Sequence, residues 1–156
     1  MSTHPNVQRV AADLAAAGAT GQIRILAEAV TTAAAAAEQL GCEVGAIANS
    51  LIFDADGVPV LILTSGAHRV DTAKVAAELG IGRLRRASPD FVRVHTGQTI
   101  GGVAPVGHPE RVRTLVDTSL EQYDEVWAAG GVAHSVFPTT YAELLRITEG
   151  TPVTVN

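Results

Sequence analysis

The chain has one cysteine, one lysine and one methionine in 156 residues. With Cys42 alone, no intrachain disulfide can form, which fits a reducing compartment and predicts a cytoplasmic protein. A lone cysteine after Gly41, at a helix end, reads as packing rather than as a nucleophile. Aromatic residues are also scarce: three Phe, two Tyr and Trp127. That argues against an open platform of stacked rings for single-stranded nucleic acid. The single lysine and a net charge of −5 argue against broad electrostatic binding of nucleic acid, but not against contact with a short nucleic-acid end. His68, His95, His108 and His134 follow no familiar ligand spacing, so no metal is expected. There is no Gly-x-Gly-x-x-Gly and no Gly-Lys-Ser/Thr, which disfavours a nucleotide cofactor. No Gly-x-Ser-x-Gly elbow surrounds Ser50, which reads as a pocket or core hydroxyl. Met1 to Arg9 lacks the pattern of a secretion signal, and the apolar stretch from Ile25 to Ala37 is too short to cross a bilayer. No membrane contact is expected.

What remains is a chain that is 47% hydrophobic and 17% charged, much of the apolar share being alanine. That composition predicts one globular domain over residues 1–156. Helical spacing predicts a helix from His4 to Ala17, with Pro5 in its first turn. A strand is expected over Gln22–Glu28, then a helix capped by Thr31 or Thr32 and closed by Gly41. Val44–Phe53 and Val58–Leu63 read as strands joined by the Asp54-Ala55-Asp56-Gly57 hairpin. Asp71 caps a helix that ends at Gly80, and Ser88-Pro89 opens another that runs to Val94. Further strands are expected at Arg111–Val116, Asp124–Ala128, His134–Phe137 and Pro152–Val155, with a last helix over Tyr141–Thr148. Asp117, Glu121, Asp124 and Glu125 read as a solvated acidic face. Hairpins mixed with helices predict an α/β mixed (α+β) fold, a curved mixed sheet or partial barrel surrounded by helices.

Thr96 to His108 is the most unusual stretch, with four glycines, Pro105 and no charged side chain before its final histidine. Glycine lets backbone approach a ligand closely, and proline stiffens what surrounds it. The stretch reads either as an ordinary turn between strands or as a surface for recognition by main-chain N–H and C=O groups. A second feature is local basicity on an acidic chain: Arg83, Arg85 and Arg86, with Arg69 and Lys74 before them. These can receive a phosphate backbone or form an ordinary solvated face.

Four segments together resemble the YbaK/prolyl-tRNA synthetase-associated domain family, the free-standing aminoacyl-tRNA deacylases. They are Ile47-Ala48-Asn49-Ser50-Leu51-Ile52-Phe53 before Asp56-Gly57, Gly66-Ala67-His68-Arg69-Val70-Asp71 with Lys74, Ile100-Gly101-Gly102-Val103-Ala104-Pro105-Val106-Gly107, and Ala128-Ala129-Gly130-Gly131 with Pro138 to Leu145. The resemblance covers nearly the whole chain. It implies a mixed α/β fold whose sheet curves into a small barrel. It also implies hydrolysis of the ester joining a wrong amino acid to the 3′ end of tRNA, usually proline tRNA, without metal or organic cofactor. The implied partners are the tRNA acceptor end and an aminoacyl-tRNA synthetase. Asn49, Gly101 and Gly102 would act on the ester. Ile47, Ser50, Val103, Pro105, Gly107, Gly130, Gly131 and His134 would shape the pocket, and Arg69, Lys74, Arg83, Arg85 and Arg86 would meet tRNA. Asn49 stands where many family members carry lysine; it offers a neutral donor and acceptor but no charge. The rival expectation is a module that binds a tRNA end or a synthetase with little or no catalysis.

Overall fold

The computed structural model describes residues 4–30 and 32–156. Its helices are α1 (Pro5–Ala16), α2 (Ala33–Leu40), α3 (Thr72–Leu79), α4 (Pro89–Thr96) and α5 (Tyr141–Thr148). Its strands are β1 (Arg24–Ile25), β2 (Ile47–Ala55), β3 (Val58–Ser65), β4 (Arg85–Arg86), β5 (Arg113–Asp117), β6 (Val126–Ala129), β7 (Ser135–Thr139) and β8 (Thr151–Val153). One mixed sheet runs β1-β7-β6-β2-β3-β5-β8, with β4 added to β2. β2 and β6, β3 and β5, and β5 and β8 are parallel, while the other pairs are antiparallel. The end strands β1 and β8 do not pair, so the sheet is mixed, as expected, and unclosed.

The two-residue repeat of β2 and β3 sorts their side chains onto opposite faces. Ile52, Leu61 and Leu63 pack with Val10 and Leu14 of α1, Val92 of α4, and Leu144 and Ile147 of α5. Phe53, Val60 and Ile62 pack with Val75 and Ala76 of α3 and with Leu84. Ile47 and Trp127 meet Ala36 and Ala37 of α2. Helices therefore cover both faces, and Val60 to Leu63 of β3 are buried throughout. Each such side chain stabilises the fold by about 1.5–3 kcal/mol.

Local chemistry explains most element ends. Thr32, Asp71, Ser88 and Thr140 each accept a first-turn amide as N-caps; Thr31 lies outside the described residues. Asp56 and Gly57 both take positive φ, 51° and 92°, as the tight hairpin turn requires. The largest departures from expectation are in four strands. The strand expected over Gln22–Glu28 shrinks to β1, which pairs with Ser135 and Val136. Val44–Ala46 form a 3₁₀ turn, so β2 starts at Ile47. Pro138 lies inside β7 opposite Trp127, beyond the reach of β1, where its missing N–H does no harm. β4 was not expected, because two exposed arginines carry no alternating pattern.

The acidic face needs a larger correction. Asp117 is buried, and its carboxylate accepts from Ser65 N–H (3.0 Å) and Ser119 N–H (3.0 Å) and meets His68 Nδ1 at 2.9 Å. It ties the end of β3 to the turn after β5, because a buried carboxylate needs donors.

Candidate functional site

β2 is paired to β6 at Ile47–Ala48 and to β4 at Phe53–Asp54. Between those pairings Asn49, Ser50 and Leu51 have no strand neighbour on that edge among the described residues. A small cavity of about 60 Å³ opens there. Asn49, Ser50, Gly101, Val103, Trp127 and Ser135 are among its lining residues, with Thr32, Ala33 and Ala36 from the start of α2. It holds the equivalent of about two waters. Among the described residues, no ionisable side chain lines it. Asn49 is exposed at the mouth. The Ser50 hydroxyl is buried and has no hydrogen-bond partner among the described residues.

The glycine loop reaches this cavity with its first half. Gly102 N–H donates to Thr99 O (3.0 Å), so that amide is already engaged within the turn. A Cβ on Gly102 would lie 2.7 Å from the Val132 backbone, so only glycine fits against the 130–135 turn. The neighbouring amides of Gly101 and Val103 meet no protein acceptor among the described residues. Val103 is buried, where an unpaired N–H is uncommon, whereas Gly101 is exposed; both residues line the cavity.

Side chains that the sequence did not single out hold the loop. Gln98 is 1% exposed. Its Oε1 accepts from Ala104 N–H at 2.7 Å, and its Nε2 donates to Val106 O (3.2 Å) and Gly107 O (3.4 Å). Thr96 Oγ1 accepts from Gln98 N–H (3.0 Å) and donates to Val92 O (2.7 Å), fastening the loop to α4. Asp13 of α1 accepts from Gly107 N–H at 2.9 Å. His108 Nε2 lies 2.8 Å from Ala104 O, and burial pushes its pKa below the ordinary 6.5. The neutral ring thus donates to that carbonyl. Gln98 and Thr96 sit in the glycine-rich stretch itself; a buried amide there was the available signal.

The expected site residues separate into groups. Ile47, Asn49, Ser50, Gly101 and Val103 share the small cavity. Pro105 and Gly107 instead line a cavity of about 420 Å³ behind the loop, with His108, Arg111 and Thr148. Gly130, Gly131 and His134 belong to the turn beneath the loop. Gly130 N–H donates to Ser135 O, Gly131 O accepts from Asn6 Nδ2, and His134 O accepts from Leu26 N–H. The cavity wall near this turn is made by Ala129, Ala133 and Ser135. Lys74 Nζ donates to Asn156 O at 2.6 Å, away from the cavity lining. Arg69, Arg83, Arg85 and Arg86 are exposed and form no ion pair among the described residues. A further cation was missed: Arg24 lies over the Trp127 ring at 4.9 Å. Cys42 packs beside Trp127 and α2, and burial raises its thiol pKa, which suits packing. Among the described residues, no helix is long and apolar enough to cross a membrane.

Comparison with known proteins gives this arrangement a family. Residues 27–147 match the aminoacyl-tRNA editing domain model. The Bacillus subtilis (strain 168) protein YwhH is 36% identical over 110 residues, 70% of this chain and 69% of that one. A proline–tRNA ligase of Nitratidesulfovibrio vulgaris (strain DP4) is 35% identical over 109 residues; these are 67% of this chain but only 19% of the ligase. A solved structure described as a candidate trans-editing enzyme for prolyl tRNA synthetase superposes with a TM-score of 0.92 at 38% identity, covering 99% of each chain. The matched span contains the open edge of β2 and the whole glycine loop, and on these findings the chain belongs to the aminoacyl-tRNA editing domain family.

Proposed function

We propose that this protein hydrolyses the ester between a small amino acid and the 3′ end of a mischarged tRNA, proline tRNA being the favoured carrier. The observation that carries the reading is the pair of unpartnered amides, Gly101 and Val103, at a small cavity shared with Asn49. Water attacks the acyl carbonyl, and the oxygen that gains charge is held by those two N–H groups. The acyl C–O bond then breaks, the ribose oxygen takes a proton, and the free amino acid leaves. An aminoacyl ester is activated already, so positioning supplies much of the acceleration. Asn49 orients the ester or the water from the cavity mouth. The terminal 2′-hydroxyl helps to activate the water. Space for about two waters fits alanine, serine, threonine or cysteine better than a large side chain. The similarity to proline–tRNA ligases supports proline tRNA as carrier, with a synthetase as partner.

One observation favours a second reading. With Asn49 in place of lysine, the cavity lining has no charge among the described residues, which suits a module that holds a tRNA end without cutting it. A panel of misacylated tRNAs separates the two. Ester loss above the uncatalysed rate for small amino acids supports hydrolysis; binding without loss on any member supports the module.

A further inference from the structure

A second, narrower cavity of about 40 Å³ continues the first along β2. Ser50 and Val103 line both. From there the groove runs past Leu51, Ile52 and Ile100 to Arg86. Its floor is the stretch of β2 edge left open between β6 and β4. Ile52 O accepts from Ala87 N–H and so points to that side. By the two-residue repeat the main chain of Ser50 points the same way. Asn49 to Phe53 spans about 13 Å. One wall is aliphatic, and Ile100 is 58% exposed on it. The far end carries a guanidinium with no ion-pair partner among the described residues, beside the equally unpaired Arg85 and Arg83.

We infer that this groove, from Ser50 to Arg86, seats the unpaired nucleotides that precede the terminal adenosine of the RNA, with Arg86 on a phosphate and a base against Ile100. This rests on the reading of the protein as a tRNA-end binder. Continuity with the acyl cavity gives the direction of the strand: ester at Asn49, preceding nucleotides toward β4. The chemistry fits a single strand. A base has an apolar face for Ile100, edge groups for the Ser50 hydroxyl and main chain, and a phosphate for the arginine. It also separates the five cations expected to meet tRNA: Arg86 alone among them lines the groove, whereas Lys74 is held by the chain's last residue.

The test measures equilibrium binding of two uncharged RNA minihelices, one ending in the single-stranded CCA and one lacking those three nucleotides. Wild type is compared with Arg86→Ala, Arg86→Lys and, as a charge-matched control, Arg113→Ala on the exposed start of β5. Arg86→Ala should weaken binding of the CCA-ended RNA about tenfold. It should also lower the salt slope by about 0.7, the value for one single-strand phosphate. Binding of the shortened RNA should not change. Arg86→Lys should recover most of the loss as a point charge, and Arg113→Ala should bind like wild type. The inference is overturned if wild type binds neither RNA, if Arg86→Ala matches wild type on the CCA-ended RNA, or if both RNAs lose the same factor. Hydrolysis is not needed for this readout. Arg86-dependent binding without any ester loss would reject the enzyme reading and keep the groove; ester loss without Arg86 dependence would do the reverse.

Discussion

Replacing Gln98 by leucine removes the side chain that holds the glycine loop from within. Leucine has similar bulk, so the packing change is small. Three contacts disappear: Ala104 N–H to Oε1 at 2.7 Å, and Nε2 to Val106 O and Gly107 O at 3.2 and 3.4 Å. Ala104 is fully buried, so its N–H loses its partner with no water to replace it. An orphaned buried donor costs about 1–3 kcal/mol. The two longer bonds share one amide and add about 1 kcal/mol. The total is about 2–4 kcal/mol. For a chain of 156 residues that corresponds to a fall in Tm of about 5–15 °C. Thermal unfolding followed by circular dichroism reads the shift, and hydrogen exchange at Ala104 should speed up along with it. Under the proposed function, deacylation should fall further than stability alone explains, because Val103, which lines the small cavity, adjoins the released residue. Gln98→Glu keeps the acceptor for Ala104 but sets a carboxylate against two carbonyls, and should also destabilise. If Gln98→Leu melts within 2 °C of wild type (a shift of about 1 kcal/mol or less) and hydrolyses at the wild-type rate, the loop is not held as described.

Other outcomes follow from the same geometry. Gly102→Ala should disturb the loop against the Val132 backbone and destabilise by about 1–3 kcal/mol, seen in chemical denaturation. Asn49→Ala should cut the hydrolysis rate about 100-fold while RNA-end binding changes little, and Asn49→Lys should retain hydrolysis, because the mouth is exposed enough to hydrate an ammonium. His108 has its pKa lowered below 6.5 by burial, so the unfolded chain binds its proton first. Stability from this group is therefore complete above pH 6.5 and declines as pH falls toward the folded pKa; His108→Gln should flatten that part of the Tm–pH curve. Replacing the terminal 2′-hydroxyl of the substrate by hydrogen should slow ester cleavage sharply in single-turnover assays.

Much of the scaffold was legible because its signals are local. Thr32, Ser88 and Thr140 announce helix starts, and Asp56-Gly57 announces a hairpin, without help from the rest of the chain. The strand pair β2–β3 was legible from its buried runs. The misses come from distant partners. Arg85–Arg86 become a strand only because the edge of β2 is vacant beside them. Asp117 looks like one more surface acid until His68 and Ser65, some fifty residues earlier, close over it. The site divides in the same way. Asn49, Ser50 and Gly101 were named from sequence and share one cavity. Which face of the loop Pro105 and Gly107 present, and that the Gly102 amide is spent inside its own turn, depend on hydrogen bonds no linear pattern encodes.

The most direct measurement is a crystal structure of the protein with alanyl-adenosine whose ester is replaced by a non-hydrolysable amide. The alanyl carbonyl should lie within hydrogen-bond distance of the Gly101 and Val103 amides, with its methyl in the cavity beside Asn49 and the ribose directed toward the β2 edge. An acyl group bound elsewhere, such as in the cavity behind Pro105 and Gly107, or a carbonyl held away from both amides, would contradict the account.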